Sequence, residues 1–390
     1  MSTLKCNSIK NTATNDGGVQ IDASGHVIAD GVQLPSAGAF SSRRININGA
    51  MQVAQRNTSK TGITSNGYYT VDRFKTALSN LGTYTQTQES DAPAGFKYSL
   101  KMDCTVQDGS PASGDKFYLA HTIEAQDLQS LAYGTSSAAA LTISFYVKSN
   151  KTGNATLTIQ QKDNSDKQLC LQYSISSAST WEKKTLSIPG DTSGVIDNNT
   201  GTGLSLQWWL NSGSDFTGGS HRTTWVTETN ADRNASNLGI GGSTNDFFQL
   251  AGVQLEFGAI ATPFEHRRFA EELNDCRRYY QKSYNYSVAP ASASNLGMIT
   301  RRGDSTSTFD QYPGVEFQQP MRSNPTVTIY SPQDGTSGVV SNRSSSINSH
   351  STNVAVTTID NIGENGFGSL DLAADTGPAI AFHYVADADH

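Results

Sequence analysis

The sequence predicts a mainly β protein: an antiparallel β-sandwich (jelly-roll-like) domain, one short helix, and a second, smaller C-terminal β-sandwich. Three observations predict it. Only 16% of the 390 residues are charged, against about 25% in an ordinary soluble chain, so polarity comes from Ser, Thr, Asn, Gln and Gly, the residues of strands and turns. Short runs of alternating apolar and polar residues recur at the spacing of a sandwich. Helical periodicity is confined to a single stretch. At roughly 100–200 residues per domain, the length fits two main domains.

Taken in order, residues 1–40 alternate weakly through Leu4, Cys6, Ser8 and Ile9, then through Val19, Ile21, Val27, Val32 and Leu34. Gly17, Gly18, Gly25, Asp30 and Gly31 punctuate the segment. Two or three short strands are expected, too little to bury a core, so the segment is expected to dock on something else. Residues 41–261 carry the clearest strand signals, at 98–102, 141–147, 155–159, 169–173, 184–188, 204–210 and 247–255. In each, alternate residues are apolar, as one buried and one wetted face require.

Residues 262–283 have a different texture. Thr262, Pro263 and Glu265 have the pattern of a capping box. Phe269, Leu273, Cys276 and Tyr280 follow at helical spacing on one stripe. That stripe either packs on the chain's own sandwich or meets the same helix of sister chains. Residues 284–390 return to strand patterns at 315–317, 325–330, 353–359 and 379–385, with a Ser- and Gly-rich loop at 335–348.

The formal net charge of −7 gives no basic field for phosphates, so nucleic acid is not an expected partner. No apolar run is long enough to span a bilayer, and the first residues lack a signal-peptide pattern, so synthesis in the cytoplasm without membrane insertion is expected. Cys6, Cys104, Cys170 and Cys276 stand singly and read as buried free thiols, or as a chance pair in space. The motifs of metalloproteases, P-loops, nucleophile elbows and EF-hands are missing, and Gly239, Gly241 and Gly242 lack a dinucleotide-site context. The reading is therefore non-enzymatic, without cofactor or metal. Asp163 with Asp166, Asp103 with Asp108, and Glu271 with Glu272 are the nearest carboxylate pairs; the first two read as hairpin turns and the third as a solvated helix start.

Aromatic residues offer more. Trp208 and Trp209 are neighbours in a strand and must point to opposite faces, so one of them is free to offer a flat surface to a sugar. Trp225, Tyr284 and Tyr286 complete the candidate ligand-binding set, each with core or interface packing as its alternative. Trp181, just before a strand, reads as a plug.

Residues 46–58 followed by 67–74 resemble the opening of a domain common in phage and prophage tail-fibre-like proteins. Residues 144–149, 181–185, 188–194 and 249–256 resemble successive strands of the carbohydrate-binding-module-like jelly rolls in those proteins. Residues 261–267 and 276–281 resemble the junction that ends them, with Arg268 where related junctions often carry proline. Residues 4–9 are similar to starts seen in marine and cyanobacterial phage proteins.

The resemblance implies a tail-fibre subunit of a virion, homotrimeric, with Phe269, Leu273, Cys276 and Tyr280 at the trimer junction. Residues 1–40 would attach it to other tail or adaptor proteins, and its target would be a host surface polysaccharide or lipopolysaccharide. Capsid decoration, a head fibre or a baseplate role is the first alternative. A depolymerase tailspike is the second, although the coil repeat of a long parallel β-helix is absent.

Overall fold

The computed structural model describes residues 8–10, 18–21, 27–29, 32–33, 43–163, 166–302, 311–343, 350–373 and 379–390. Strands β1 (Ser8–Lys10), β2 (Gly18–Ile21), β3 (Val27–Ala29) and β4 (Val32–Gln33) form a small antiparallel meander in that order. Leu4, Cys6, Leu34 and the punctuating Gly17, Gly25, Asp30 and Gly31 lie outside the described residues, as do residues 344–348 of the expected C-terminal loop.

Twelve strands then build a sandwich: β5 (Ser59–Ile63), β6 (Phe74–Ser79), β7 (Thr83–Glu89), β8 (Ser99–Val106), β9 (Lys116–Glu124), β10 (Leu141–Ser149), β11 (Gly153–Gln161), β12 (Lys167–Ile175), β13 (Glu182–Ile188), β14 (Thr202–Ser212), β15 (Arg222–Thr227) and β16 (Phe247–Phe257). They form two six-stranded antiparallel sheets, ordered β13-β10-β16-β8-β7-β5 and β15-β12-β11-β14-β9-β6. Inward residues such as Leu141, Ile143, Phe145 and Val147 on β10 meet Leu204, Leu206 and Trp208 on β14 in one shared core. All seven sandwich strands read from the alternation are there.

The pairing of β16 with β8 stops at Leu250 opposite Leu100, which would leave the rest of β16 as a bare edge. Residues 44–49 cover it: Ile45 N–H donates to the Leu255 carbonyl at 2.9 Å, Val253 N–H to the Gly49 carbonyl at 2.9 Å, and the Asn46 amide bonds both Val253 and Leu255. Only glycine fits at position 49, since a Cβ there would sit 1.9 Å from the Val253 oxygen.

The helix α1 (Phe269–Arg277) starts later than the capping-box pattern indicates. Thr262 is taken instead by Glu256, whose carboxylate accepts both its N–H (2.9 Å) and its hydroxyl (2.5 Å), and Glu265 accepts the Arg44 N–H at 2.7 Å. Those bonds keep the intervening segment out of the helix. The N-cap is Arg268, whose N–H donates to the Glu271 carboxylate at 3.3 Å. Tyr280 is not on the helix but opens β17 (Tyr280–Lys282).

The remaining strands are β18 (Ile299–Arg302), β19 (Gln311–Glu316), β20 (Thr326–Tyr330), β21 (Val339–Arg343), β22 (His350–Asp360), β23 (Gly366–Leu372) and β24 (Ala379–Asp387). The second, smaller unit is an eight-stranded antiparallel sheet in which β24 pairs with β17, β18, β20 and β21. Its core gathers Met321, Ile329, Val340, Leu370, Ile380 and Phe382.

The two units meet through buried charge. Arg56 bonds Asp387 and Asp389, each at 2.8 Å, and Arg73 bonds Asp389. Residues 276–281, quoted above for their resemblance, work at this contact: Arg278 grips Glu124 of the sandwich with two bonds of 2.8 Å, Tyr279 lies 3.3 Å beneath the Arg73 guanidinium and Tyr280 3.7 Å beneath that of Arg56.

Asp72 lies behind Arg56, accepting the Gln55 N–H at 2.9 Å and its side-chain amide at 2.6 Å. Burial outweighs the pull of Arg56 and pushes the Asp72 carboxyl up to about 6. Its folded value thus lies above the unfolded one of about 3.9, so its contribution to stability is complete below about pH 4 and lost as pH rises through about 6. The stability of the protein minus that of Asp72→Asn, from urea unfolding, is expected to fall by about 1 kcal/mol between pH 5 and pH 7.5, since roughly one of the two tenfold changes in proton affinity on folding falls in that window. A difference that does not change with pH rejects this assignment.

Candidate binding groove

The outer face of the second sheet carries a groove running across its strands. Alternation puts Phe117, Leu119 and Ile123 of β9 into the core and leaves Lys116, Tyr118, Ala120 and Thr122 outside. Pairing then sets outward residues in rows. Ala77, Tyr118 and Trp209 are opposite one another across β6, β9 and β14. Lys75, Ala120, Gln207 and Thr158 form a second row, and Thr122, Ser205, Gln160 and Gln168 a third.

Apart from Trp209, Thr158 and Gln168, these residues line a depression of about 340 Å³, within the range of about 300–1,000 Å³ usual for small-ligand sites. Side-chain amides relay across its floor. Arg233 donates to the Gln207 oxygen at 3.2 Å, and the Gln207 amide donates to the Gln160 oxygen at 2.6 Å. Beyond this relay, Gln160 Nε2 and Arg233 Nε, on two of the lining residues, are buried donors without a hydrogen-bond acceptor among the described residues. A buried donor left in that state costs about 1–3 kcal/mol, so these two favour an oxygen-bearing occupant or ordered water. Ala77 and Ala120 are short enough to leave room above the half-buried ring of Tyr118. Among the lining residues Glu228 is the one acidic side chain, held by Lys162 at 2.5 Å and Arg233 at 3.6 Å.

The two adjacent tryptophans do point to opposite faces, but neither is bare. Trp208 is fully buried in the sandwich core, with Phe145 at 5.8 Å and Phe74 at 6.3 Å, and cannot be a ligand platform. Trp209 faces outward and yet is fully buried too, roofed by Tyr118 at 4.7 Å, Phe216 at 5.2 Å and the Arg233 guanidinium at 5.1 Å. It supports Tyr118 from beneath. Trp225 on β15 is half-buried against the core and gives its N–H to the Pro189 carbonyl at 2.7 Å.

Tyr284 is buried in the second unit, stacked on His383 at 3.7 Å, so it too offers no free face. Tyr286 is 36% exposed and sits at the junction between the units. The five candidate aromatics are therefore not brought together. The residues that line the groove instead are Tyr118 on β9, Gln160 on β11, Gln207 on β14 and Arg233 in the loop after β15, none of which the sequence singled out.

At the helix, Phe269 is 42% exposed, Leu273 half-buried and Cys276 and Tyr280 buried within the same chain, so at most the first half of that stripe is open. Of the carboxylate pairs, Asp166 is bound to Lys162 at 3.1 Å in the turn before β12. Asp103 sits within β8 and not in a turn, bound to Lys101 at 2.9 Å. Glu272 is not solvated, as expected from the sequence, but buried against Arg44. Trp181 is half-buried, donating to Asp91 at 3.1 Å.

No protein-family model and no curated protein matches the chain. Among solved structures it is similar to the enzymatically active domain of tailspike protein 4 of bacteriophage CBA120 (TM-score 0.29, 10% identity), over 55% of this chain but only 22% of that one. It is similar to the arabinose-bound α-L-arabinofuranosidase MgGH51 (TM-score 0.31, 11% identity; 60% of this chain, 30% of that one). A third likeness is to the module TmCBM61 in complex with β-1,4-galactotriose (TM-score 0.27, 10% identity), over 56% of this chain and 100% of that one.

Proposed function

We propose that the chain is a structural subunit of a bacteriophage virion, of tail-fibre type, whose sandwich holds a host-surface polysaccharide in the groove without cleaving it. The observation that carries the binding half is the groove itself: a tyrosine ring flanked by alanines, above an amide relay with unmatched donors. A pyranose presents an apolar face for the ring and a rim of hydroxyls for the amides. The virion half is supported by the resemblance of residues 46–58 and 276–281 to phage tail-fibre-like proteins.

Cleavage by two carboxyl groups flanking the scissile bond would need a partner for Glu228, and Glu228 is itself neutralised by Lys162 and Arg233. Binding without turnover fits that wall better. In a homotrimeric fibre, weak single contacts would gain on the order of a hundredfold or more through linked copies.

The test is calorimetry of purified protein with polysaccharide extracted from host cells. Tyr118→Ala is expected to weaken binding about tenfold, the loss of one ring contact worth about 1.4 kcal/mol; equal binding by both proteins rejects the groove. Light scattering that returns a stable monomer rejects the trimer. Antibody labelling of particles that decorates the shell instead of the tail would replace the fibre with a capsid role.

A further inference from the structure

A second cavity lies on the other side of the sandwich, where residues 52–58, the start of β8, the first turn of α1 and the loop after β17 converge. Its volume is about 520 Å³, again within the usual range of about 300–1,000 Å³. Three aromatic rings face it. Phe269 is 42% and Tyr286 36% exposed, edge to face at 5.2 Å, and Tyr98 is half-buried opposite. Tyr286 is fixed by its hydroxyl, which accepts the Ala54 N–H at 2.8 Å and donates to the Gln52 carbonyl at 3.3 Å.

The charge of the lining is lopsided. It holds Arg56, Lys97 and Lys282 and no Asp or Glu, in a chain whose formal net charge is −7. Arg56 is spent on Asp387 and Asp389. Lys282 anchors the wall, its ammonium donating to the carbonyls of Gln55 (2.6 Å), Tyr286 (3.0 Å) and Val288 (2.6 Å), and it has no carboxylate partner among the described residues. Burial lowers it to about 8, so it still carries most of its charge at pH 7. Lys97 is exposed, has no ion-pair partner among the described residues, and stands 5.8 Å from the Tyr98 ring. The amide nitrogen of Asn57 is also uncommitted among the described residues, its oxygen being used on Thr58 and Ser59.

Exposed rings beside the unpaired ammonium of Lys97 suit a sugar ring that bears an anion. We propose that this junction cavity is a second saccharide site, selective for an acidic pyranose, with Phe269 and Tyr286 as the stacking surface and Lys97 as the anion's counter-charge. It is separate from the groove and does not depend on it.

The experiment titrates the full chain with oligogalacturonate, with a sulfated galactan oligomer and with a neutral galactan oligomer of equal length. At 20 mM salt the oligogalacturonate is expected to bind at least about tenfold more tightly than the neutral oligomer, an advantage that shrinks at 300 mM salt. Lys97→Gln is expected to remove that selectivity, Phe269→Ala to weaken all three oligomers, and Tyr118→Ala to leave oligogalacturonate binding at this site unchanged. A preference for the sulfated oligomer over the carboxylated one assigns the anion as sulfate within the same proposal. Failure to bind either acidic oligomer, equal affinity for acidic and neutral ones, or loss confined to Tyr118→Ala overturns it. Both Lys97 and Phe269 are exposed, so their variants should keep the parent's unfolding midpoint. If the chain is an oligomer that Phe269→Ala dissociates, the cavity is a subunit contact and the proposal fails.

Discussion

Trp208→Ala is expected to destabilise the sandwich by about 3–5 kcal/mol, the range for emptying a large aromatic site in a rigid core. The ring bridges both sheets, touching Phe145 of β10 on one side and Phe74 of β6 on the other. Strands fixed by ladders on both edges cannot collapse into the space, so most of the cavity would persist. Urea unfolding followed by far-UV circular dichroism measures the loss, and a change below about 1 kcal/mol would show that the ring is not a keystone of this core. Whatever fraction stays folded should bind groove ligands as the parent does, because Trp208 points away from that face.

Asp389→Ala is expected to cost a similar amount, about 3–5 kcal/mol, because it strands buried positive charge. Asp389 is 3% exposed and shared by Arg73, 1% exposed, and Arg56, 11% exposed. Without it, Arg73 retains only the Thr122 carbonyl at 2.8 Å and the face of Tyr279 among the described residues. Burial alone would raise the Asp389 carboxyl, but the two guanidinia win and hold it below the ordinary carboxylate range. Its contribution is therefore present above about pH 4 and lost as the solution is acidified through the depressed folded value. All four tryptophans belong to the sandwich. Their fluorescence should thus report a transition in the variant that separates from the circular-dichroism transition of the whole chain. Coincident, unshifted transitions would show that the interface charge is dispensable.

The sequence made the architecture legible where apolar alternation is strong, and hid it where polar residues face inward. β7 is such a case: its inward Gln86 is fully buried, accepting from the Thr70 N–H (3.0 Å) and hydroxyl (2.8 Å) and donating to Thr76 at 2.8 Å. Nothing in a Thr- and Gln-rich run announces a core strand. β9 was missed because His121 occupies an inward position among Phe117, Leu119 and Ile123.

For the site, neighbouring tryptophans correctly implied opposite faces, yet the roof over Trp209 comes from Phe216 and Arg233, distant in sequence, and no local pattern reveals such a lid. The helix start was misplaced for a related reason. A carboxylate six residues upstream, Glu256, competes for the Thr262 hydroxyl that would otherwise cap it. Residues 46–58 and 276–281, quoted for their resemblance, meet in the fold, where the Gln55 amide donates to the Tyr280 carbonyl at 2.7 Å and the Arg56 guanidinium lies over the Tyr280 ring.

The bonds of Arg44 have a mechanical side. Arg44, where the chain enters the sandwich, is bound to Glu265 and Glu272 and takes a 2.7 Å bond from Arg267, where it leaves. Entry and exit are stapled side by side, with some 220 residues between them hanging as a loop. Tension applied from the segment before residue 43 to the segment after residue 268 would pass through that staple and bypass the twelve strands, leaving the groove unloaded while the rest of the chain is pulled.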